Sequence, residues 1–330
     1  MTLPISNAVI TAIGSYVPEK VLTNADLEAI VDTSDEWIVQ RTGIRERRIA
    51  AESQYSSDLS ILAVRDMARR YNVQLTDIDY IIVATSTPDT FVPSVASRVQ
   101  AEFGMQGCGT ADLQAACAGF TAALQMANGL LLSGIYKKVL VIGTETLSKA
   151  TDYTDRTTCI LFGDGAGAFL LEAASGSKSD IIAASSNTDG SGGHLLYRSS
   201  LSPSIGGYDI IATSNIVQNG REVYRWAISE VSKGINELMK KSGTSAAQIN
   251  WFAPHNANQR IIDALCDKTG FHLEQALSSI AKYGNTSAAS IPLAIDDAVR
   301  DGRIAAGDTI LLYGFGGGLT QSGILLRWSI

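Results

Sequence analysis

The sequence predicts an α/β fold built of two similar units. Apolar, β-branched runs alternate with segments of helical spacing, which argues for strands feeding helices. Long polar linkers are absent. The two halves also offer the same succession of strand, long connection, helix entrance and strand. Ile81 to Cys117 spans 36 residues and Cys117 to Val139 spans 22; Phe252 to Asn285 spans 33 and Asn285 to Thr309 spans 24.

The N-terminal MTLPISNAVITAIGSYVPEK reads as a strand and a turn. It lacks the basic start and continuous apolar centre of a signal peptide, so export is not expected. Residues 56–71, 117–133, 221–240 and 289–300 carry apolar side chains at helical intervals. Strands are expected in IIVAT (81–85), KVLVIG (138–143), GAFLLE (167–172) and TILLYG (309–314). Residues 113–136 hold no charge, but Gln114, Gln125, Asn128 and three glycines make a buried core helix a better reading than a membrane span. The Gly- and Ser-rich segment 185–207 is expected to be the surface connection between the units, giving an N-terminal half over 1–175 and a C-terminal half over 176–330.

With 330 residues, 45% of them hydrophobic and 18% charged, the chain can bury two cores. A net charge of -7 disfavours nucleic acid, because phosphate binding needs concentrated Lys and Arg. An acidic partner would need a local basic patch. The four cysteines, Cys108, Cys117, Cys159 and Cys266, form no C-x-x-C pair, so neither a disulfide framework nor a zinc site is supported, and a reducing cytoplasm is expected.

Three residues stand out as chemistry. Cys117 opens a helix whose apolar face runs through Phe120, Leu124, Ala127 and Leu131, so its thiol meets a positive helix end. That field is worth ~0.3 to 1 kcal/mol, up to ~2 when partly buried, and could bring a thiol from ~8.5 towards ~7. Taken alone, Cys117 reads by default as a small buried hydrophobe. His255 closes the apolar strand of INWFAPHNANQRII and would emerge from a strand end, as catalyst or as structural histidine. Asn285, in YGNTSAAS, precedes a helix, where it could cap the helix or hold a reacting carbonyl. GFGGGLTQSG and FGDGAGA match no phosphate or dinucleotide loop, so nucleotide hydrolysis and a Rossmann cofactor are rejected. A backbone amide from the first of these could instead face an anionic oxygen.

Together, DTSDEWIVQRTGIRERRIA, AACAGF, YTDRTT with FGDGAGA, HNANQRII, YGNTSAAS and GFGGG resemble the β-ketoacyl-acyl carrier protein synthase III family, in order and over nearly the whole chain. The resemblance implies a thiolase-like fold, five-layered α/β/α/β/α with two pseudo-symmetric halves, and a homodimer. It implies decarboxylative condensation of an acyl-coenzyme A primer with malonyl-acyl carrier protein, through a thioester on Cys117, with no metal or other cofactor. By the same resemblance Cys117, His255 and Asn285 form the catalytic triad, and the amides of Cys117 and Gly317 the oxyanion hole. Trp37, Arg156 and Asn258 would bind coenzyme A. Arg225, Arg260 and Lys268 would meet the acyl carrier protein; Asp267 departs from the basic pattern there. Phe91, reaching across the dimer interface, would line the primer pocket with Leu147 and Leu161.

Two rival readings use the same residues. A relative in specialised metabolism could employ the triad to acylate an oxygen or an amine-derived substrate. A catalytically silent scaffold could merely bind acyl-coenzyme A or its carrier, although an intact triad argues against it. A hydroxymethylglutaryl-coenzyme A synthase is disfavoured, because that family condenses without decarboxylation.

Overall fold

Period-2 alternation within the apolar strands decides the layering. In a computed structural model describing residues 6–174 and 179–330, Val139 and Val141 face one core while Leu140 and Ile142 face another. Strands apolar on both faces must be covered on both faces. The first sheet contains β1 (Ala8–Tyr16), β2 (Tyr80–Ala84), β3 (Gly109–Leu113), β4 (Lys138–Thr146) and β5 (Asp164–Ala173), in the order β1-β5-β4-β2-β3. The second contains β6 (Ile181–Thr188), β7 (Trp251–Pro254), β8 (Thr309–Gly316) and β9 (Thr320–Arg327), in the order β7-β8-β9-β6. β2 runs parallel to β4 as β7 runs parallel to β8, and the antiparallel steps that follow also match. Ala276 bridges Phe252 in parallel, at the place β3 holds in the first sheet.

Two helices, α3 (Gly119–Leu132) and α6 (Ser290–Arg300), lie between the sheets and share one core with both. Helices α1 (Ser56–Tyr71) and α2 (Val95–Glu102) cover the outer face of the first sheet. Helices α4 (Ser232–Ser242) and α5 (Gln259–Thr269) cover that of the second. The result is the expected five-layered α/β/α/β/α arrangement, a thiolase-like fold. The uncharged segment 113–136 resolves into β3, a turn and the buried α3, and among the described residues no helix is long and apolar enough to cross a membrane.

Each central helix enters through a 3-10 turn, Ala116–Ala118 before α3 and Ser287–Ala289 before α6. Both turns open on a left-handed non-glycine residue, Ala116 (φ 44) and Ser287 (φ 47). Backbone strain of that kind persists only where the surroundings impose it. Here each turn is pressed onto the other half's central strand. A Cβ added to Gly143 of β4 would lie 2.3 Å from the Ala288 carbonyl oxygen, and one added to Gly314 of β8 would lie 2.8 Å from Ala118 Cα.

Two expectations change. The segment 185–207 is not the connection between halves: Ser185–Thr188 pair with β9 as the edge of the second sheet, and the polar character reflects that edge. The pairing of Cys117 with Asn285 is also displaced, since the matching turns make Ala288 the counterpart of Cys117. The division at 175/176 and the first five residues of the expected N-terminal strand lie outside the described residues; β5 and β6, which flank that division, belong to the first and second sheets.

Gly143→Ala would drive a methyl group into backbone that cannot yield. Its denaturation midpoint should fall, by about 1 to 3 kcal/mol of stability, with the denaturant slope unchanged.

Candidate active site

Where the turns meet, Cys117, His255 and Asn285 line one cavity of about 520 Å³. Such a volume suits a small acyl group and part of a carrier arm. The halves contribute different chemistry: Cys117 comes from the turn before α3, His255 follows β7 directly, and Asn285 leads into the turn before α6.

His255 continues the sheet ladder, donating its amide to Tyr313 O at 2.8 Å, and its ring is buried edge-on to Phe315. Nδ1 lies 2.7 Å from Ser290 Oγ, which also accepts from the Asn256 amide at 3.3 Å. Among the described residues Nδ1 is the acceptor within reach of the single Ser290 proton, so that proton goes to Nδ1 and we assign the Nε2–H tautomer, a donor aimed at the cavity. Burial pushes the imidazole pKa down to about 3, so the ring is neutral at pH 7. Asn285 is held on both sides: its amide donates to Leu161 O at 2.9 Å, and its carbonyl accepts from Gly163 at 3.0 Å. Its Oδ1 accepts the Ser287 amide at 2.9 Å, which leaves the Nδ2 donors for the cavity.

The thiol overturns one expectation. Burial pushes Cys117 up to about 12, aided by the nearby Glu145 carboxyl and opposed by the Ser287 hydroxyl. The helix end is present, but dehydration of the thiolate outweighs it. Cys117 therefore rests as a thiol. Beside it runs the end of β8, where a Cβ on Gly316 would come 3.0 Å from Cys117 Sγ and 3.1 Å from its backbone nitrogen. Gly317 follows, facing Leu196 O and Ala116.

The rim is cationic and aromatic. Arg156 stacks over Trp37 with its guanidinium carbon 5.0 Å from the ring centroid, and Arg41 lies 5.8 Å from the same ring. Trp37 and Asn258 line the cavity, and Asn258 caps α5 by accepting the Arg260 amide at 2.8 Å. Arg260 also lines it, its guanidinium 5.8 Å from the Tyr224 ring. On the other side of Tyr224, Arg225 and Lys268 form a shallow basic depression with Lys233. Leu147 and Leu161 are on the wall.

Phe91 is not on that wall. It is 78% exposed, next to Val92 at 86%, so it cannot line the cavity of its own chain.

Several residues escaped the sequence reading. Arg41, four residues after Trp37 on one helix, had a periodic signal. Arg198 and Arg221 at the mouth had none. Arg198 belongs to a strap, Leu196–Arg198 paired with Ile216–Gln218, and its guanidinium holds Ser86 O at 3.1 Å and Ser214 O at 2.6 Å. Glu145 of β4 is fully buried behind Cys117, with its carboxyl pushed up to about 7 by burial.

A model of the 3-oxoacyl-[acyl-carrier-protein] synthase III family matches residues 111–190, and one of that family's C-terminal region matches residues 239–328. Beta-ketoacyl-[acyl-carrier-protein] synthase III 2 of Halalkalibacterium halodurans is 54% identical over 326 residues, 99% of this chain and 98% of that one. The crystal structure of the synthase III of Thermus thermophilus superposes with a TM-score of 0.93 at 44% identity, covering 97% of this chain and 99% of that one. The priming β-ketosynthase of the R1128 polyketide pathway superposes with a TM-score of 0.90 at 33% identity, covering 100% of this chain and 98% of that one.

Two buried groups should leave opposite marks on stability. Folded His255 binds fewer protons than the unfolded chain between about pH 3 and 6.5, so its contribution is complete above 6.5 and is lost as pH falls. Folded Glu145 binds more between 4.5 and about 7, so its contribution is complete below 4.5 and is lost as pH rises. Between pH 4.5 and 6.5 the two slopes cancel. Urea titrations should show that Glu145→Gln uncovers a stability rising with pH by about 1.4 kcal/mol per unit, and His255→Gln one that falls.

Proposed function

The chain belongs to the β-ketoacyl-[acyl-carrier-protein] synthase III family, and from that premise we propose that it starts fatty acid synthesis by condensing an acyl-coenzyme A primer with malonyl-acyl carrier protein. The products are 3-oxoacyl-carrier protein, coenzyme A and carbon dioxide. The observation that carries the reading is the meeting of one thiol with two neutral, fixed hydrogen-bond donors in a cavity without an acidic side chain on its walls among the described residues.

Cys117 sulfur attacks the primer thioester, and the Cys117 and Gly317 amides hold the oxygen that becomes negative. Each such donor is worth ~2.7 to 4 kcal/mol in the transition state. Coenzyme A leaves, and malonyl-carrier protein enters with its thioester carbonyl between His255 Nε2–H and Asn285 Nδ2. Those donors stabilise the enolate left by loss of carbon dioxide, and its carbon attacks the acyl-Cys117. Neutral histidine suits this step, since donation alone is required. The chemistry needs no metal or redox cofactor.

Trp37, Arg156 and Asn258 are the proposed contacts of coenzyme A, joined by Arg41 and Arg221 at the mouth. Arg225, Arg260 and Lys268 are the proposed dock for the acidic carrier, a local basic surface on a chain of net charge -7. The exposed Phe91 and Val92 support a homodimer in which Phe91 closes the partner's primer pocket. The four cysteines are unpaired, which supports a reducing cytoplasm as the setting.

Intact-mass measurement after mixing with acetyl- or isobutyryl-coenzyme A should give one acyl adduct on the wild type and none on Cys117→Ala; an undiminished adduct on the variant would end the proposal. His255→Ala should still acylate, yet lose carbon dioxide release from malonyl-carrier protein by about 10²- to 10³-fold.

Leu147, Leu161 and the aliphatic wall near Cys117 favour short straight or branched primers. Across a chain-length series of acyl-coenzyme A, kcat/KM should peak at two to about five carbons. Use of medium or long chains alone would refute that preference.

A further inference from the structure

The strap at the mouth is an excursion from the second sheet. β6 ends at Thr188, and the chain returns to a helix at Gly220. Between them Leu196–Arg198 pair with Ile216–Gln218, and a smaller hairpin, Ser204–Ile205 on Tyr208–Asp209, lies further out. Two-stranded ribbons of this kind are marginal on their own. Leu196, Tyr197, Arg198, Ile216 and Gln218 nevertheless line the cavity, so the position of the strap sets the cavity's width. Leu196 lies against Gly317, where an added Cβ would come 3.1 Å from the Leu196 carbonyl oxygen and 3.4 Å from its Cγ. Among the described residues, the hydrogen bond joining residues 196–218 to the first half runs from Arg198 Nη1 to Ser86 O, at 3.1 Å.

Ser86 is a firm anchor. Its amide donates to both Glu145 carboxyl oxygens at 3.1 Å. Thr87 Oγ1 accepts the Thr146 amide at 2.8 Å, which places this loop beside Leu147 on the cavity wall. Asp89 then accepts the Ser57 amide at 2.9 Å and pairs with Arg98. Arg198 uses that anchor with a second hold, since its Nε donates to Ser214 O at 2.6 Å. One planar fork thus gathers the outgoing limb of the strap, through residue 198 itself, and the returning limb, through Ser214, and fixes both to the first half. No acidic side chain pairs with Arg198 among the described residues, so its guanidinium is not drawn into an ion pair. Two carbonyl oxygens in fixed positions suit a guanidinium fork and not the single nitrogen of an ammonium.

Resting on the acyl-Cys117 reading, we propose that Arg198 is a positioning residue that limits primer length. The strap reaches from Gly317 on one wall to the loop beside Leu147 on the other, and the Arg198 tie holds it there. A primer longer than the closed space has to push the strap outward and break the tie. Closing an apolar pocket against one further methylene is worth roughly 10- to 200-fold in kcat/KM, so a small displacement of the strap is enough to shift the length limit. A guanidinium that merely drew anionic substrates to the mouth would act on every primer alike, because all carry the same coenzyme A charge. Length discrimination therefore separates the tie from simple attraction.

A series of straight saturated acyl-coenzyme A primers, with thiol release followed in the full reaction with malonyl-carrier protein, tests the assignment. The quantity compared is a ratio: kcat/KM for a primer about four carbons longer than the wild type's best, over kcat/KM for that best primer. Arg198→Ala should raise the ratio about tenfold or more. Arg198→Lys, which keeps the charge and loses the fork, should raise it too. If Arg198→Ala leaves the ratio at the wild-type value, whatever its absolute rates, the tie does not limit length and the proposal is refuted. Full restoration of the wild-type ratio by Arg198→Lys would refute it as well, since charge alone would then suffice. A wild type that forms no acyl adduct on Cys117 by intact mass would instead bring down the proposed function, and this inference with it.

Discussion

The structure depends on one reciprocal steric contact. The turn before each central helix is seated on a glycine in the middle strand of the opposite half, Ala288 on Gly143 and the Cys117–Ala118 turn on Gly314. Any side chain at those glycines would separate the sheets. Because the turns are pressed together, each tolerates a left-handed residue, and the two functional corners are fixed against each other and not merely against their own sheets. A site assembled in this way exists only when both halves are folded and docked.

Burial around that contact sets the electrostatics of the site. Histidine is held neutral, the thiol is held protonated and a carboxyl is lifted towards neutrality, all by the same loss of water. The donors that remain, from His255, Asn285 and nearby amides, are uncharged and already aimed, so they lose little to reorganisation when negative charge develops. Arginines stay at the rim, where solvent reaches them and where anionic carriers would arrive.

Much of this was legible in the sequence. The strands were found because a strand covered on both faces reads as a continuous apolar run. The helices were found because an apolar periodicity runs along them, clear in α1 on an outer face and in α6 between the sheets. Cys117, His255 and Asn285 became legible as candidates only as a set, since each alone has an ordinary structural reading. The edge strand at 185–188 was misread because Ser and Gly mark connections and solvent-facing edges alike. Glu145 was invisible for a different reason: in a strand reading KVLVIGTET it looks like any polar residue near a strand end, and its burial is created by residues far along the chain. Ser290, which orients His255, was hidden in the same way.

The misjudged thiol shows why local rules fail at such a site. A helix end contributes roughly 0.3 to 1 kcal/mol, or about 2 in partly buried settings, and sequence reveals the helix but not the solvent. Desolvation works through the whole surroundings, and here it exceeds the dipole and reverses the sign of the expectation. A thiol so raised cannot act as a standing thiolate. The same burial leaves the donors around the thiol uncharged, since the His255 ring is neutral and the Asn285 side chain is fixed by the Ser287 amide at 2.9 Å.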